Sequence, residues 1–132
     1  MKISDLAQRC GISAHTLRYY EKSGLLCAPK RSESNYRIYT QDDVTTAKFI
    51  KKSKECGFSL AEMATLLAIK HDKSQHVCAE AKLITTTKIT DITLQITQLK
   101  QMQKTLQQLE QYCCGGQESA EFCTIISKLE RE

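Results

Sequence analysis

Apolar residues recur three or four positions apart along most of the chain, which is the spacing of amphipathic helices. In the first stretch Leu6, Ala7 and Cys10 share one helical face. Ser4 can cap this helix, which should run to about Arg9, and the glycine that follows permits a left-handed exit. The pattern therefore predicts a short helix that ends in a tight turn.

A second helix is predicted directly afterwards, and its outer face is polar, basic and aromatic. Ser13 is a favourable N-cap residue, while Leu17 and Tyr20 are spaced to face the core. The side chains expected to point largely outward are His15, Thr16, Arg18 and Tyr19. Two helices joined by a tight turn, the second with exposed polar groups, are typical of a helix-turn-helix recognition unit.

Residues 29–39 (PKRSESNYRIY) alternate basic and aromatic groups around a polar turn at Ser32–Asn35. This pattern predicts a short β-hairpin, or wing, that carries Lys30, Arg31 and Arg37. Two further helices should follow the wing.

The start of each of these helices is marked by a capping residue. Thr40 can cap the first, and Ser59 with Glu62 forms a capping box at the start of the second.

The pattern changes from about Cys78 to Cys113, where neither Pro nor Gly interrupts the chain. Roughly 35 residues at about 1.5 Å each predict a helix about 50 Å long. Its apolar residues form a heptad-like stripe, called the seam below: Ile89, Ile92, Ile96, Leu99, Met102, Leu106 and Leu109. Because so small a protein cannot bury this stripe alone, we expect two copies to pair along it.

A short terminal helix should follow this long one. Gly115 and Gly116 are expected to break the long helix, and Ser119 can cap the terminal helix. Its apolar residues are expected to pack back on the protein: Phe122, Ile125, Ile126 and Leu129.

Positive charge is concentrated in the first part of the chain. Residues 1–60 carry 11 Lys and Arg against 6 Asp and Glu, whereas residues 61–132 carry 8 against 9. A basic head suits nucleic-acid binding, because phosphate contacts dominate its affinity. Since the chain has no apolar run of about 18 residues and no signal-peptide core, we expect a soluble, cytoplasmic protein with no membrane partner.

Seven cysteines are an odd count, which favours free thiols or metal ligands over a disulfide framework. Three of them, Cys113, Cys114 and Cys123, lie on the glycine-broken loop after the long helix, and Cys78 lies at the start of that helix. Soft thiolates grouped in this way predict a metal site.

Four segments resemble one known family: ISDLA (3–7), TLRYYEKSGLL (16–26), NYRIY (35–39) and GFSL (57–60). They are similar, in order and over nearly the whole chain, to the MerR family of bacterial transcription regulators. The resemblance implies a winged helix-turn-helix head and a long antiparallel coiled-coil helix that forms a homodimer. It also implies a palindromic promoter, which the activated dimer distorts so that RNA polymerase can engage it.

Contacts with promoter DNA are expected from the second helix and from the wing, with base or phosphate contacts left open. The helix residues are Thr16, Arg18, Tyr19 and Tyr20, and the wing residues are Arg31, Tyr36 and Arg37. Two of these have an alternative interpretation. Tyr20 could be a core aromatic residue, and Arg37 could tie the wing to the head.

The segments QHVCAEAK (75–82) and CCGGQESAEFC (113–123) resemble the zinc-responsive (ZntR-like) branch of the family. In copper(I)-type relatives a serine stands in the place of Cys78, whereas divalent-metal sensors carry cysteine. A thiolate adds a ligand and a negative charge, and both favour a four-coordinate dication. The expected metal ligands are Cys78, Cys113, Cys114 and Cys123.

The two adjacent thiols need not bind the same ion. One of Cys113 and Cys114 could pair with Cys123 across the loop, while the other faces a second ion. Cys78, at the start of an antiparallel partner helix, would complete the site from the second copy.

One residue of the loop departs from the zinc-responsive pattern. Those relatives carry a histidine in the place of Glu118, but a carboxylate can also ligate zinc, so Glu118 is a candidate ligand. His76 is either a compensating ligand or an exposed linker histidine. The expected effector is Zn(II), with Cd(II) or Pb(II) as the alternative.

Two other functions are weaker. A redox or iron–sulfur regulator would need a more closely spaced cysteine pattern than an adjacent pair followed by eight residues and a third. An enzyme would need a positioned Cys/His/Asp constellation, and it would leave the basic winged head unexplained.

The predicted fold is mainly α-helical, and it has four parts. These are a winged helix-turn-helix DNA-binding head (1–70), a hinge (71–79), a coiled-coil dimerisation helix (80–112), and a metal-binding loop with a short terminal helix (113–132).

Overall fold

The structure is a computed structural model that describes residues 1–131. Its helices are α1 (Ile3–Cys10), α2 (Ala14–Lys22), α3 (Gln41–Glu55), α4 (Leu60–His71), α5 (Cys78–Glu110) and α6 (Thr124–Glu130). Two short strands, β1 (Lys30–Arg31) and β2 (Arg37–Ile38), form an antiparallel hairpin, and 3₁₀ turns lie at Lys73–Gln75 and Ala120–Phe122. The predicted mainly helical class, with a winged head followed by a long helix, is confirmed.

The contacts divide the chain into two units, Met1–Lys88 and Ile89–Glu132. The first unit contains one apolar core, in which Leu6, Leu17 and Ile50 are fully buried. Helix α1 packs against both α2 and α3, so the core fixes α2 within the head. The four-part division expected from the sequence stays a prediction.

Most caps of the head follow the predicted residues. The Ser13 Oγ accepts the backbone N–H of Thr16 at 3.1 Å, and the Ser59 Oγ accepts that of Glu62 at 3.2 Å. Gly11 has φ +70°, the left-handed conformation that the turn after α1 requires. Tight capping on both sides of that turn defines where α2 begins.

The predicted cap at Ser4 is wrong, because α1 already begins at Ile3. Met1 is paired with Tyr39 through two backbone hydrogen bonds of 2.8 Å, which hold the start of the chain extended. The backbone N–H of Lys2 then donates to the Asp5 carboxylate at 3.2 Å. This contact caps the first turn two residues earlier than Ser4 would.

Helix α5 ends at Glu110, two residues before the end of the predicted coiled-coil helix at residue 112. The N–H groups of Tyr112 and Cys113 donate to the carbonyls of Leu109 and Glu110, so the last turn tightens to i→i+3 bonds. The chain then leaves the helix through Gly115, which has φ +75°. Along α5 the seam is exposed in the single chain except at the half-buried Leu109, and Leu99 is 62% exposed.

The expectation that the terminal helix packs back on the protein is wrong for most of its apolar residues. Phe122 is 80% exposed, Ile126 and Leu129 are exposed, and Ile125 is half-buried. Ser119 caps the 3₁₀ turn, not α6, whose N-cap residue is Cys123. A unit built on one long helix offers these side chains no core to enter.

Among the described residues, no helix is both long and apolar enough to cross a membrane.

Candidate metal centre and nucleic-acid interface

Helix α2 presents Arg18 and Tyr19 on its exposed face. Thr16 is half-buried, and its hydroxyl accepts a 2.8 Å hydrogen bond from the Ser13 hydroxyl. The Thr16 side chain is therefore already engaged with the N-cap residue of α2. Tyr20 is only 3% exposed and lies in the core, with its ring centroid 5.8 Å from that of Tyr19. This burial favours the core interpretation of Tyr20 over a direct DNA contact.

The wing is a hairpin whose register pairs Lys30 with Ile38 and Arg31 with Arg37. Asn35 closes the turn with φ +65°, a conformation that asparagine tolerates better than most residues. The guanidinium of Arg31 donates to the Asn35 carbonyl at 3.0 Å, which braces the turn and leaves Tyr36 exposed at its edge.

One carboxylate, that of Glu21, joins α2 to the wing. The guanidinium of Arg37 lies 3.4 Å from it, and the buried Tyr39 hydroxyl donates to its other oxygen. Burial and the neighbouring Glu21 raise the pKa of Tyr39 to about 12. Arg37 is therefore engaged with the head, as its alternative interpretation held.

A shallow groove of about 510 Å³ lies between the start of α1, α2 and the wing, and we call it the wing groove. Its basic and aromatic lining residues are Lys2, Arg18, Arg31, Tyr36 and Arg37. Four of these five were predicted DNA-contact residues. A concave surface lined with cations attracts a phosphate backbone.

The loop after α5 brings the Cys113 and Cys123 sulfurs to 3.9 Å. The backbone N–H of Gly115 points at the Cys113 sulfur from 3.5 Å. The N–H of Ile126, then that of Ile125 and the Cys113 thiol, lower the pKa of Cys123, while desolvation opposes them. Since the thiolate is the metal-binding form, these donors favour ligation.

Cys114 belongs to a second pair, with Glu118. Its sulfur lies 3.8 and 3.9 Å from the two carboxylate oxygens. The same carboxylate lies close against Gly116, and it would have to shift if that residue carried a side chain. The adjacent cysteines thus have different partners.

The donor set of the loop fits a thiolate-preferring metal. Zinc–sulfur bonds of about 2.3 Å at a tetrahedral angle place two sulfurs about 3.8 Å apart, close to the observed 3.9 Å. Within residues 1–131, however, no three Cys, His, Asp or Glu side chains are grouped closely enough to hold an ion. The described part of one chain therefore brings two thiols together, which is less than a full coordination shell.

Cys78 is the exposed first residue of α5. Just before it, His76 Nδ1 lies 3.1 Å from both carboxylate oxygens of Glu80, and the Val77 N–H donates to the same group at 2.7 Å. The hydrogen bond from His76 lowers the pKa of Glu80. His76 therefore has a structural partner at the start of α5.

Comparison with known proteins identifies the family. The model of the MerR HTH family regulatory proteins matches residues 1–69, and that of the MerR DNA-binding region matches residues 44–109. The chain belongs to the MerR family.

Two curated MerR-family relatives and one solved structure extend the match over the whole chain. The transcriptional regulator ZntR of Escherichia coli is 35% identical over 98% of this chain and 92% of its own length. The mercuric resistance operon regulatory protein of Bacillus cereus is 38% identical over 97% and 96%. The lead(II) complex of PbrR691 from Ralstonia metallidurans is 26% identical over 98% of each chain, with a TM-score of 0.88.

Membership of the MerR family makes this chain a DNA-binding transcription regulator and not an enzyme. Three residues that have structural roles in these sites were not predicted: Lys2 in the wing groove, Glu21 beneath the wing, and Glu80 beside His76. Only Glu80 could have been found from the sequence, because it begins a predicted helix and stands four residues after His76 of the hinge. Glu21 meets its partners through the fold, and Lys2 precedes the first recognised motif.

Proposed function

We propose that this chain is a metal-responsive transcription activator that binds a palindromic promoter as a homodimer. Zn(II) binding at the loop after α5 changes how the dimer holds the promoter, and the distorted DNA becomes accessible to RNA polymerase. The regulated gene would encode a metal-efflux protein. The observation that carries this proposal is the 3.9 Å separation of the Cys113 and Cys123 sulfurs.

The metal site we propose is shared between two copies of the chain. Cys113 and Cys123 supply two thiolates from one copy, and Cys78 of the second copy adds another. Cys114 and Glu118 then serve either as the remaining donor or as the start of a second ion site. The similarity to the mercuric resistance operon regulator and to lead-bound PbrR691 supports a thiolate-binding metal as effector.

The exposed seam on α5 supports the homodimer. All its members are apolar, and all except the half-buried Leu109 are exposed in the single chain, as for Leu99 and Leu106. Pairing two seams would bury both stripes, and an antiparallel arrangement would place the start of one α5 beside the end of the other.

The wing groove and the exposed face of α2 form the DNA-binding surface in this proposal. Arg18 and Tyr19 would enter the major groove, while Arg31 and Tyr36 would grip phosphates beside it. Arg37 would act mainly by holding the wing against Glu21.

The second candidate effector is Pb(II) or Cd(II). The likeness to lead-bound PbrR691 and the carboxylate of Glu118 favour it, because a carboxylate changes the donor set from that of the zinc-responsive pattern. The chemistry of the remaining thiolates suits all three ions.

A promoter-reporter series with zinc, cadmium, lead, copper and mercury tests the proposal. We expect zinc to activate at the lowest concentration, and we expect Cys78→Ser and Cys113→Ser to abolish that activation. Cys27→Ser, which changes an exposed thiol in the head, is the matched control and should respond normally. Zinc activation that survives in both site variants would overturn the metal-site assignment, and a lower threshold for lead or cadmium would replace zinc as effector.

A further inference from the structure

Tyr112 and Lys128 face each other across the metal-binding loop. The Lys128 ammonium lies 4.3 Å from the centre of the Tyr112 ring. This is well within the distance of about 6 Å at which a cation is attracted to an aromatic face. Neither residue was singled out by the sequence, because each is ordinary in isolation and the contact forms only when the loop closes.

Each partner lies on the same short segment as one of the two paired thiols. Tyr112 directly precedes Cys113 and is held to the end of α5 by its N–H bond to the Leu109 carbonyl, at 3.1 Å. Lys128 is on α6, where the Ser127 N–H donates to the Cys123 carbonyl at 3.1 Å. A contact between Tyr112 and Lys128 therefore also constrains the distance between the two sulfurs.

We propose that the Tyr112–Lys128 contact is a clasp that holds Cys113 and Cys123 at the separation a metal ion needs. The two residues are thus positioning residues for the metal site, an inference that rests on the proposed function of that site. An open loop must lose conformational freedom when an ion draws its ends together. The clasp closes the loop beforehand, so the thiol pair is preorganised and binds metal more tightly.

The clasp itself can be observed in the metal-free protein. A ring face shifts the NMR resonances of nearby protons upfield, so the Lys128 ε-methylene protons should resonate upfield of those of the other lysines. Tyr112→Leu should abolish this shift, while Tyr112→Phe, which keeps the ring, should retain it. An unshifted Lys128 in the unchanged protein would overturn the proposal.

Zinc affinity, measured by competition with a chromophoric chelator, tests the positioning role. Lys128→Met keeps the aliphatic stem without the charge, and we expect it to weaken zinc binding about twofold to fivefold, as for an exposed cation–π contact. Tyr112→Leu should have a similar effect. The matched controls Lys128→Arg and Tyr112→Phe keep a cation and a ring, and they should bind zinc as the unchanged protein does.

The double variant separates a clasp from a direct charge effect. If the two side chains act on the thiols through each other, Lys128→Met should add almost nothing in a Tyr112→Leu background. An undiminished effect of Lys128→Met in that background would show that its charge acts on the thiolates directly, which would overturn the clasp. A wrong assignment of the metal site would give a different result from a wrong clasp. In that case Cys113→Ser would bind zinc with full affinity, while the upfield shift of the Lys128 protons would persist.

Discussion

A single carboxylate decides how the wing is held. The Glu21 carboxylate accepts a hydrogen bond from the buried Tyr39 hydroxyl and forms an ion pair with Arg37. These two contacts connect the recognition helix α2 to strand β2. The sequence marked Arg37 as basic but could not reveal its partner, because Glu21 is 16 positions away and the two meet only through the fold. Arg18 has no comparable engagement among the hydrogen bonds and ion pairs found for the described residues, and it projects from the exposed face of α2.

Replacing Arg18 by alanine should therefore weaken operator binding without changing zinc stoichiometry. A bidentate contact to a base would cost about tenfold to hundredfold in affinity and relax specificity at one position, whereas a phosphate contact would weaken all sequences alike. Fluorescence anisotropy at fixed salt, with operator and scrambled duplexes, distinguishes the two. Lys22→Ala, an exposed change at the end of the same helix, is the control, and loss of zinc binding in Arg18→Ala would contradict the separation of the two sites.

At the scale of elements, the start of α4 also contacts the first third of α5, at Lys88. The Glu62 carboxylate accepts the Ser59 N–H in the predicted capping box, and it also pairs with Lys88 of α5 at 2.8 Å. The hydrogen bond from Lys88, aided by Ser59, lowers the pKa of Glu62 to about 2. The capping residue is thus also part of the contact between two helices.

This pairing predicts a particular pH dependence of stability. Because the folded-state pKa of Glu62 lies below its ordinary value of 4.5, the contribution is present above pH 4.5 and is lost as the pH falls toward about 2. Glu62→Gln should lower the urea midpoint at pH 6 and flatten its fall between pH 5 and pH 2. Glu33→Gln, on the exposed wing turn, is the control. Parallel curves for Glu62→Gln and the unchanged protein would refute the pairing.

The sequence predicted helix starts correctly where residues close in sequence determine them. The caps at Ser13, Thr40 and Ser59 need only the first turn of their helices, and all three form. The cap predicted at Ser4 failed because a distant partner, Tyr39, fixes the first residue in an extended conformation. Ser119 caps a 3₁₀ turn because α6 begins beyond it.

The sequence predicted which residue types form the candidate metal site, but it did not predict which of these side chains lie next to each other. Cysteine spacing indicated a thiolate site, yet which adjacent cysteine faces Cys123 depends on the turn at Gly115. The pairing of Glu118 with Cys114 is likewise set by how the loop brings the two side chains together. These distances follow from loop conformation, which residue identity alone does not determine.

At the scale of the whole molecule, apolar surface and charge lie in different parts of the sequence. The head carries the excess of basic residues and has a closed core, whereas α5 and α6 contain no buried residue within the described chain. The exposed seam on α5 and the exposed Phe122 are a large apolar surface for so short a segment, which indicates that another protein surface covers them. In the proposed homodimer, a second copy of the chain would cover this seam with its own.

Substituting Leu99 by glutamate should therefore dissociate the dimer. Leu99 is at the middle of the seam, where a buried carboxylate without a partner would raise the dimer dissociation constant by at least about tenfold. Gln101→Glu places the same charge on the opposite face of α5 and should leave the dimer intact. Light scattering after size exclusion measures the mass of each variant over a range of concentrations.

Because the proposed metal site needs Cys78 from a second copy, Leu99→Glu should also weaken zinc binding at concentrations where it is monomeric. A monomer that retained full zinc affinity would show that one chain completes the site alone.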